Sequence, residues 1–263
     1  MTDDTGPWEI VERLRDWAAD MPWCEWVELG GSLARGAGDA WSDVDAGLGV
    51  LTDGVAFAER RDVALAAARA FAPVADTLVQ PYGTDDRPAD HLVVQYADGR
   101  QLSLVVMPAE NRPGLPTGSR AILDRAGRLS TSYVPPVANA GAAQVREWAF
   151  LAWWALSDVA KHAGRGSVWR AIGALDEARA HAWRLHAAAL GLGYPGYGAV
   201  SVENAAGPSP AGIERTLPAA ATAPEVLAAA RALVDVLDPL AAAHDVGGVR
   251  AEARRRLGRP MIG

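Results

Sequence analysis

An α+β fold, with a mixed sheet and flanking helices followed by a helical bundle, is predicted by a change of pattern along the chain. In the first part, short apolar runs bounded by turn residues are typical of strands, and they alternate with amphipathic helices. After residue 143 the sequence becomes rich in alanine and leucine, with apolar residues three and four positions apart, as in packed helices. Proline, glycine and serine accumulate between the two parts, over residues 112–141. We therefore expect two domains, residues 1–139 and 140–263.

The predicted elements of the first part are two helices and five strands. Pro7 suits a first helical turn, and Asp98-Gly99-Arg100 is a hairpin signal between the last two strands. The helices are expected over Pro7–Met21 and Ala56–Phe71, and the strands over Cys24–Leu29, Val44–Leu51, Asp76–Gln80, His91–Ala97 and Gln101–Met107. Together these elements predict a small mixed sheet with helices packed on it.

The second part contains three long helical patterns. The loop Gly191–Pro218 interrupts them and is long enough to indicate a binding role. Arg254–Arg256 lie in the C-terminal tail, where a charge run is typical of a solvated helix end. The helices are expected over Gln144–His162, Ser167–Leu190 and Pro224–His244. We expect the ligands to bind in a cleft between the sheet domain and this bundle.

Composition excludes several function classes. Of the 263 residues, 50% are hydrophobic, and 25 basic against 32 acidic side chains give a net charge of −7. An acidic chain lacks the electrostatic footprint of a protein that binds duplex DNA or an anionic membrane, so neither partner is expected. Cys24 is the only cysteine, so a disulfide within the chain is excluded and a cytoplasmic location is predicted. No signal peptide or membrane span is visible in the sequence.

One stretch of the first part carries the pattern of a chemical site. It consists of Leu29–Ser32 (LGGS), ten intervening residues, and Asp43–Asp45 (DVD). Residues two apart on a strand point to the same face, so Asp43 and Asp45 would present two carboxylates side by side. Such a pair suits Mg²⁺, which proteins commonly hold with one or two carboxylates together with substrate phosphates. The glycine turn can bring backbone N–H groups and a hydroxyl to those phosphates, and Arg35 can add a positive charge.

The pattern resembles the motif of the nucleotidyltransferase superfamily, to which DNA polymerase β belongs: an apolar residue, Gly, Gly or Ser, about ten residues, and Asp-x-Asp. The segments KHAGRGSVWRAIGALDEAR and YPGYGAVSVENA resemble the C-terminal bundle of antibiotic nucleotidyltransferases of the aminoglycoside and lincosamide type. The resemblance implies a nucleotidyltransferase domain followed by a helical domain. It implies Mg²⁺ as cofactor, a nucleoside triphosphate, expected to be ATP, as donor, and a hydroxyl of a small molecule as acceptor.

The resemblance also assigns roles to individual residues. Gly31 and Ser32 would contact the triphosphate, and Asp43 and Asp45 would bind the metal. Alternatively, the two acids are a turn acid and a strand cap. Lys161, the only lysine, could contact phosphate or be a solvent-facing residue at a helix end. Glu147 is the candidate general base, or else an ordinary acid in the first turn of a helix.

The sequence departs from the superfamily pattern at Ser103. Members generally carry a third carboxylate there, and a serine hydroxyl is a poor base and a weak metal ligand. Either Glu147 or, second, Asp98 substitutes, or catalysis is impaired. The competing hypothesis is a nucleotide-binding or protein-interacting module that has lost turnover. An antitoxin-like enzyme that modifies a partner protein is less favoured, because the bundle lacks an Arg-x4-6-His motif.

Overall fold

A computed structural model describes residues 6–259. The chain divides into two compact units between Pro135 and Pro136, a few residues before the predicted boundary at 139–140. The first unit contains the sheet and the second is helical, so the predicted α+β class is confirmed. That the units are separate domains with separate roles stays a prediction.

The sheet unit contains three helices and eight strands, numbered here in chain order. Each predicted helix and strand of this unit is confirmed to within two residues at each end. The helices are α1 (Gly6–Asp20), α2 (Gly31–Ala34) and α3 (Phe57–Ala70). The strands are β1 (Cys24–Leu29), β2 (Val44–Val50), β3 (Val74–Pro81), β4 (Asp90–Tyr96), β5 (Gln101–Pro108), β6 (Leu115–Pro116), β7 (Arg120–Asp124) and β8 (Ser132–Tyr133).

Six of these strands form one mixed sheet in the order β3-β4-β5-β2-β1-β7. Within this sheet, β2 and β5 pair in parallel and the other described pairs are antiparallel, while β6 and β8 form a separate two-stranded parallel ladder. The interpretation of residues 112–141 as a crossover between domains is wrong in one respect. This segment contains β7, which pairs antiparallel with β1 at the edge of the sheet. Its five residues are exposed or half-buried, so they do not give the apolar alternation that identifies a strand.

The alternation along β2 separates the two faces of the sheet. Val44, Ala46 and Leu48 belong to the main core of the unit. Asp45, Gly47 and Gly49 alternate with these residues and therefore lie on the opposite face. On that face, side chains from β1 occupy the space above the two glycines. The polar residue Asp45 thus lies on a rigid central strand.

The helical unit packs alanine-rich faces against one another around its own core, which includes Trp153, Leu156 and Leu175. The three predicted helices are confirmed to within three residues at each end. The structure adds a short helix within the predicted loop and a helix in the predicted tail. The helices are α4 (Ala142–Ala163), α5 (Val168–Ala189), α6 (Ala199–Asn204), α7 (Ala223–Ala241) and α8 (Gly247–Leu257).

None of the helices within residues 6–259 combines the length and the apolar character needed to cross a membrane. The cytoplasmic location and the absence of a nucleic-acid partner stay predictions.

Candidate active site

The two halves of the sequence motif meet where β1 ends and β2 begins. Gly30 donates its backbone N–H to the carbonyl oxygen of Asp45 at 2.9 Å. Gly31 has a φ of +60°, and a Cβ atom at this position would lie 2.2 Å from Oδ2 of Asp45. A residue with a side chain would therefore both strain the backbone and displace the carboxylate. The glycine turn and the carboxylate of Asp45 are in direct contact.

Asp45 has a raised pKa for two reasons. The larger cause is burial, which disfavours the charged form, and the second is repulsion by the carboxylate of Asp43. Electrostatic interactions with Ser103, His91 and Arg35 oppose this effect. Asp43 itself is exposed and precedes the first residue of β2. The structure thus brings Asp43, Asp45 and Arg35 close enough to interact, and their roles in binding stay predictions.

Polar contacts fix the loop between the two halves of the motif. The hydroxyl of Ser32 donates to Ser42 Oγ at 3.0 Å, and Ser42 donates to Asp39 Oδ1 at 3.1 Å. Asp39 also accepts the backbone N–H of Trp41 at 2.9 Å. Trp41 is 94% exposed, two residues before Asp43. Ser32 is therefore held by the loop, and its predicted contact with phosphate stays a prediction.

Ser103 occupies the expected position beside Asp45. In the parallel ladder of β2 and β5, Asp45 is the direct partner of Ser103. His91, from β4, lies with its Nε2 atom 2.8 Å from Ser103 Oγ. Sequence reasoning missed His91, although the hairpin turn before β5 and the alternation along β4 place it on the same face as Ser103.

Glu28 is a second residue that sequence reasoning missed. It is only 4% exposed, lies over Gly47 on the same face of the sheet as Asp45, and forms an ion pair with Arg112. Its Oε2 atom has no hydrogen-bond partner. Burial raises its pKa to about 7 in spite of the opposing charge of Arg112. The sequence signal for Glu28 was an acid within a strand pattern, two residues before Gly30.

The donor set fits one kind of metal site. Among the described residues, no group of three or more His, Cys, Asp or Glu side chains is placed to hold a metal ion. Asp43 and Asp45 remain as two mutually repelling carboxylates with the glycine turn against one of them. Mg²⁺ is commonly held by one or two carboxylates, with substrate phosphates and water completing its oxygen ligands. The residues present fit Mg²⁺ bound together with a triphosphate.

Two further predicted site residues belong to the helical unit. Lys161 has its Nζ atom 2.5 Å from Asp158 Oδ1, so part of its charge is already neutralised. Glu147 is exposed on α4, which begins at Ala142. The expectation that Glu147 lies in the first turn is therefore wrong, because the helix starts two residues before the predicted Gln144. The roles of Lys161 and Glu147 stay predictions.

The second candidate for the missing acid lies in the turn before β5. The carboxylate of Asp98 accepts two hydrogen bonds from the guanidinium of Arg100, at 2.7 and 2.9 Å. These bonds lower its pKa. A carboxylate held in this way is a weak base, which disfavours Asp98 as the substitute.

Comparison with known proteins finds similarity to solved structures. No family model matches the chain, and no curated protein matches it. The crystal structure of an aminoglycoside 6-adenyltransferase from Bacillus subtilis is similar over 99% of this chain and 93% of that chain, with 14% identity and a TM-score of 0.37. Both values are low, so the arrangement of the residues described above carries the functional argument.

Proposed function

We propose that this chain is a nucleotidyltransferase. It transfers a nucleoside monophosphate, expected to be AMP, from a Mg²⁺-bound nucleoside triphosphate to a hydroxyl of a small molecule and releases pyrophosphate. The expected acceptor is of the aminoglycoside or lincosamide type, in which case the chain would confer antibiotic resistance. The helical half carries slightly more basic than acidic residues, so a polycationic acceptor would require a local acidic pocket.

The observation that supports this function is the contact between Gly31 and Asp45. The two positions lie 14 residues apart in the sequence, and each is a common residue type. In the structure the absence of a side chain at Gly31 leaves room for one oxygen of the Asp45 carboxylate. Turn, spacer and paired acids thus form one site, which agrees with a metal-triphosphate function better than with a turn acid and a strand cap.

The residues of the site have distinct roles in this proposal. Asp43 and Asp45 hold the metal, while Gly31, Ser32 and Arg35 contact the phosphates. The chemistry that Mg²⁺ supplies when bound is neutralisation of the charge on the phosphate oxygens.

In the reaction, the acceptor oxygen forms a bond to the α-phosphorus while the bond to the pyrophosphate oxygen breaks. The proton of the hydroxyl passes to a base, for which Glu147 is proposed, and Lys161 is proposed as a further phosphate contact. Catalysis of this kind depends mainly on positioning and charge.

One observation favours a second candidate function. A neutral serine is the direct neighbour of Asp45, at the position where a third carboxylate is expected. A chain that binds nucleotide without transferring it would tolerate this residue. The alternative is therefore a nucleotide-binding or protein-interacting module without turnover.

Calorimetry and a pyrophosphate assay separate these possibilities. Titration with Mg²⁺ and ATP should show binding in the wild type and a large loss of affinity in the Asp43→Asn/Asp45→Asn double variant. The matched control is Asp53→Asn, which removes an exposed carboxylate from the turn after β2. Unchanged affinity in the double variant would refute the proposed site. Nucleotide binding without pyrophosphate release, with hydroxyl-bearing antibiotics as acceptors, would favour the module.

A further inference from the structure

Ser103 lies between two polar side chains on the same face of the sheet. On one side it is the direct partner of Asp45 in the parallel ladder of β2 and β5, which places its hydroxyl beside that carboxylate. On the other side, His91 Nε2 is 2.8 Å from Ser103 Oγ. In the antiparallel ladder of β4 and β5, Val93 is the direct partner of Ser103, so His91 reaches it diagonally from two residues along the strand.

A serine hydroxyl has one proton, and an ionised carboxylate can only accept. A Ser103 hydroxyl that donates to Asp45 must therefore accept from His91, and this arrangement requires a proton on Nε2 of His91. The ring of His91 also packs edge-to-face against Tyr82, with 6.2 Å between the ring centroids. The result is a chain of two donors directed at one carboxylate.

We propose that His91 is a positioning residue of the active site, which acts on Asp45 through Ser103. This role rests on the proposed function, because it concerns the carboxylate that would hold the metal. His91 fixes the hydroxyl of Ser103, and the hydroxyl fixes the carboxylate of Asp45 in the orientation that faces Gly31. In this proposal, the neutral donors of His91 and Ser103 occupy the position at which a third carboxylate is expected.

The register of the strands supports this role. A carboxylate at position 103 would lie directly opposite Asp45 and repel it, whereas a hydroxyl can donate to it. Partners that orient a metal ligand in this way typically change metal affinity by about 10–100-fold when removed.

A double-mutant cycle tests whether His91 acts through Ser103. The measured quantity is the affinity for Mn²⁺ in the presence of α,β-methylene-ATP, which cannot be cleaved at the bond concerned. His91→Leu and Ser103→Ala should each weaken Mn²⁺ binding about 10–100-fold. The double variant should lose no more than the stronger single variant, because both changes break the same chain. His91→Gln keeps an N–H donor and should restore most of the affinity.

Two controls accompany the cycle. Val93→Ala removes bulk beside Ser103 without changing either hydrogen bond, and it should leave Mn²⁺ affinity unchanged. The ¹⁵N spectrum of the imidazole of His91 reports the tautomer without any metal, and the Nε2–H form is expected.

The possible outcomes are distinct. Unchanged affinity in His91→Leu, additive losses in the double variant, or an Nδ1–H tautomer would each overturn the positioning role. If the wild type binds no Mn²⁺–nucleotide, or if Asp43→Asn/Asp45→Asn does not weaken binding, the proposed function fails and the positioning role fails with it. Wild-type binding that is lost only in the aspartate variants would retain the proposed function and reject the role of His91.

Discussion

Gly30 and Gly31 are adjacent glycines, but replacement by alanine should be harmful at Gly31 and nearly neutral at Gly30. Gly31 has a φ of +60°, where an alanine costs about 1–2 kcal/mol relative to its preferred conformations. Its added Cβ would lie 2.2 Å from Oδ2 of Asp45, so the carboxylate would have to turn away. Gly30 has φ −110° and ψ −162°, which any residue adopts. A Cβ added at Gly30 would lie 3.7 Å from the Cβ of Asp45, which is an ordinary van der Waals distance.

The expected magnitudes follow from these contacts. Gly31→Ala should lower the free energy of unfolding by about 1–2 kcal/mol, a shift in Tm of about 2–8 °C for a chain of this size. The displaced carboxylate of Asp45 should cost at least about tenfold in affinity for Mg²⁺-ATP. Gly30→Ala should change stability by less than about 0.5 kcal/mol and affinity by less than about threefold.

Urea unfolding and calorimetric titration of the two variants under the same conditions give both quantities. The decisive comparison is that of Gly31→Ala with Gly30→Ala, because the same atoms are added at neighbouring positions. Equal affinities for Mg²⁺-ATP in the two variants would refute the reasoning, since they would mean that the orientation of Asp45 toward the turn does not matter. A loss confined to Gly30→Ala would refute it as well.

Three further variants test individual carboxylates. The folded-state pKa of Glu28, about 7, lies above its ordinary value of 4.5, so the folded state binds more protons between these values and stability falls as pH rises. Between pH 5 and pH 8, the free energy of unfolding of the wild type, measured with urea, should therefore fall by about 2–3 kcal/mol relative to that of Glu28→Gln. A rise relative to Glu28→Gln would show that the ion pair with Arg112 dominates. Glu147→Gln should reduce pyrophosphate release by about 10²–10⁴-fold if Glu147 is the base, and unchanged release would exclude it. Ser103→Asp should bring little gain, because it adds a charge beside Asp45, and a rate increase of about 10²-fold or more would instead identify position 103 as the place of a missing base.

The part of the site that could be predicted from the sequence is the part formed by neighbouring segments. The glycine turn and the acids flank strands β1 and β2, which pair antiparallel, so Leu29 and Ala46 are direct partners. A short connection between two paired strands brings its two ends together, and the spacing of the motif contains that information. The strands on both sides of the motif were correct, whereas the short helix α2 within it was not predicted.

His91, which sequence reasoning missed, reaches the site across another strand pair, because its place depends on the register of β4 against β5. Ser103 was singled out through the family resemblance, and it meets Asp45 because β5 pairs in parallel with β2. A parallel pair joins segments that are far apart in sequence, and no local pattern specifies its register. Strand β7 was missed for a related reason, because an edge strand with exposed residues has no apolar alternation.

The glycines of β2 allow close packing on the face of the sheet that carries Asp45. A Cβ at Gly49 would lie 2.0 Å from the ring of Trp26, whose Nε1 donates to the carbonyl oxygen of Ala109 at 3.2 Å. A Cβ at Gly47 would lie 2.9 Å from the carboxylate of Glu28. The glycines therefore make room for large side chains of β1, and these fill the face of the sheet beyond Asp45. This close packing supports β2 at the place where the turn at Gly31 meets the carboxylate of Asp45.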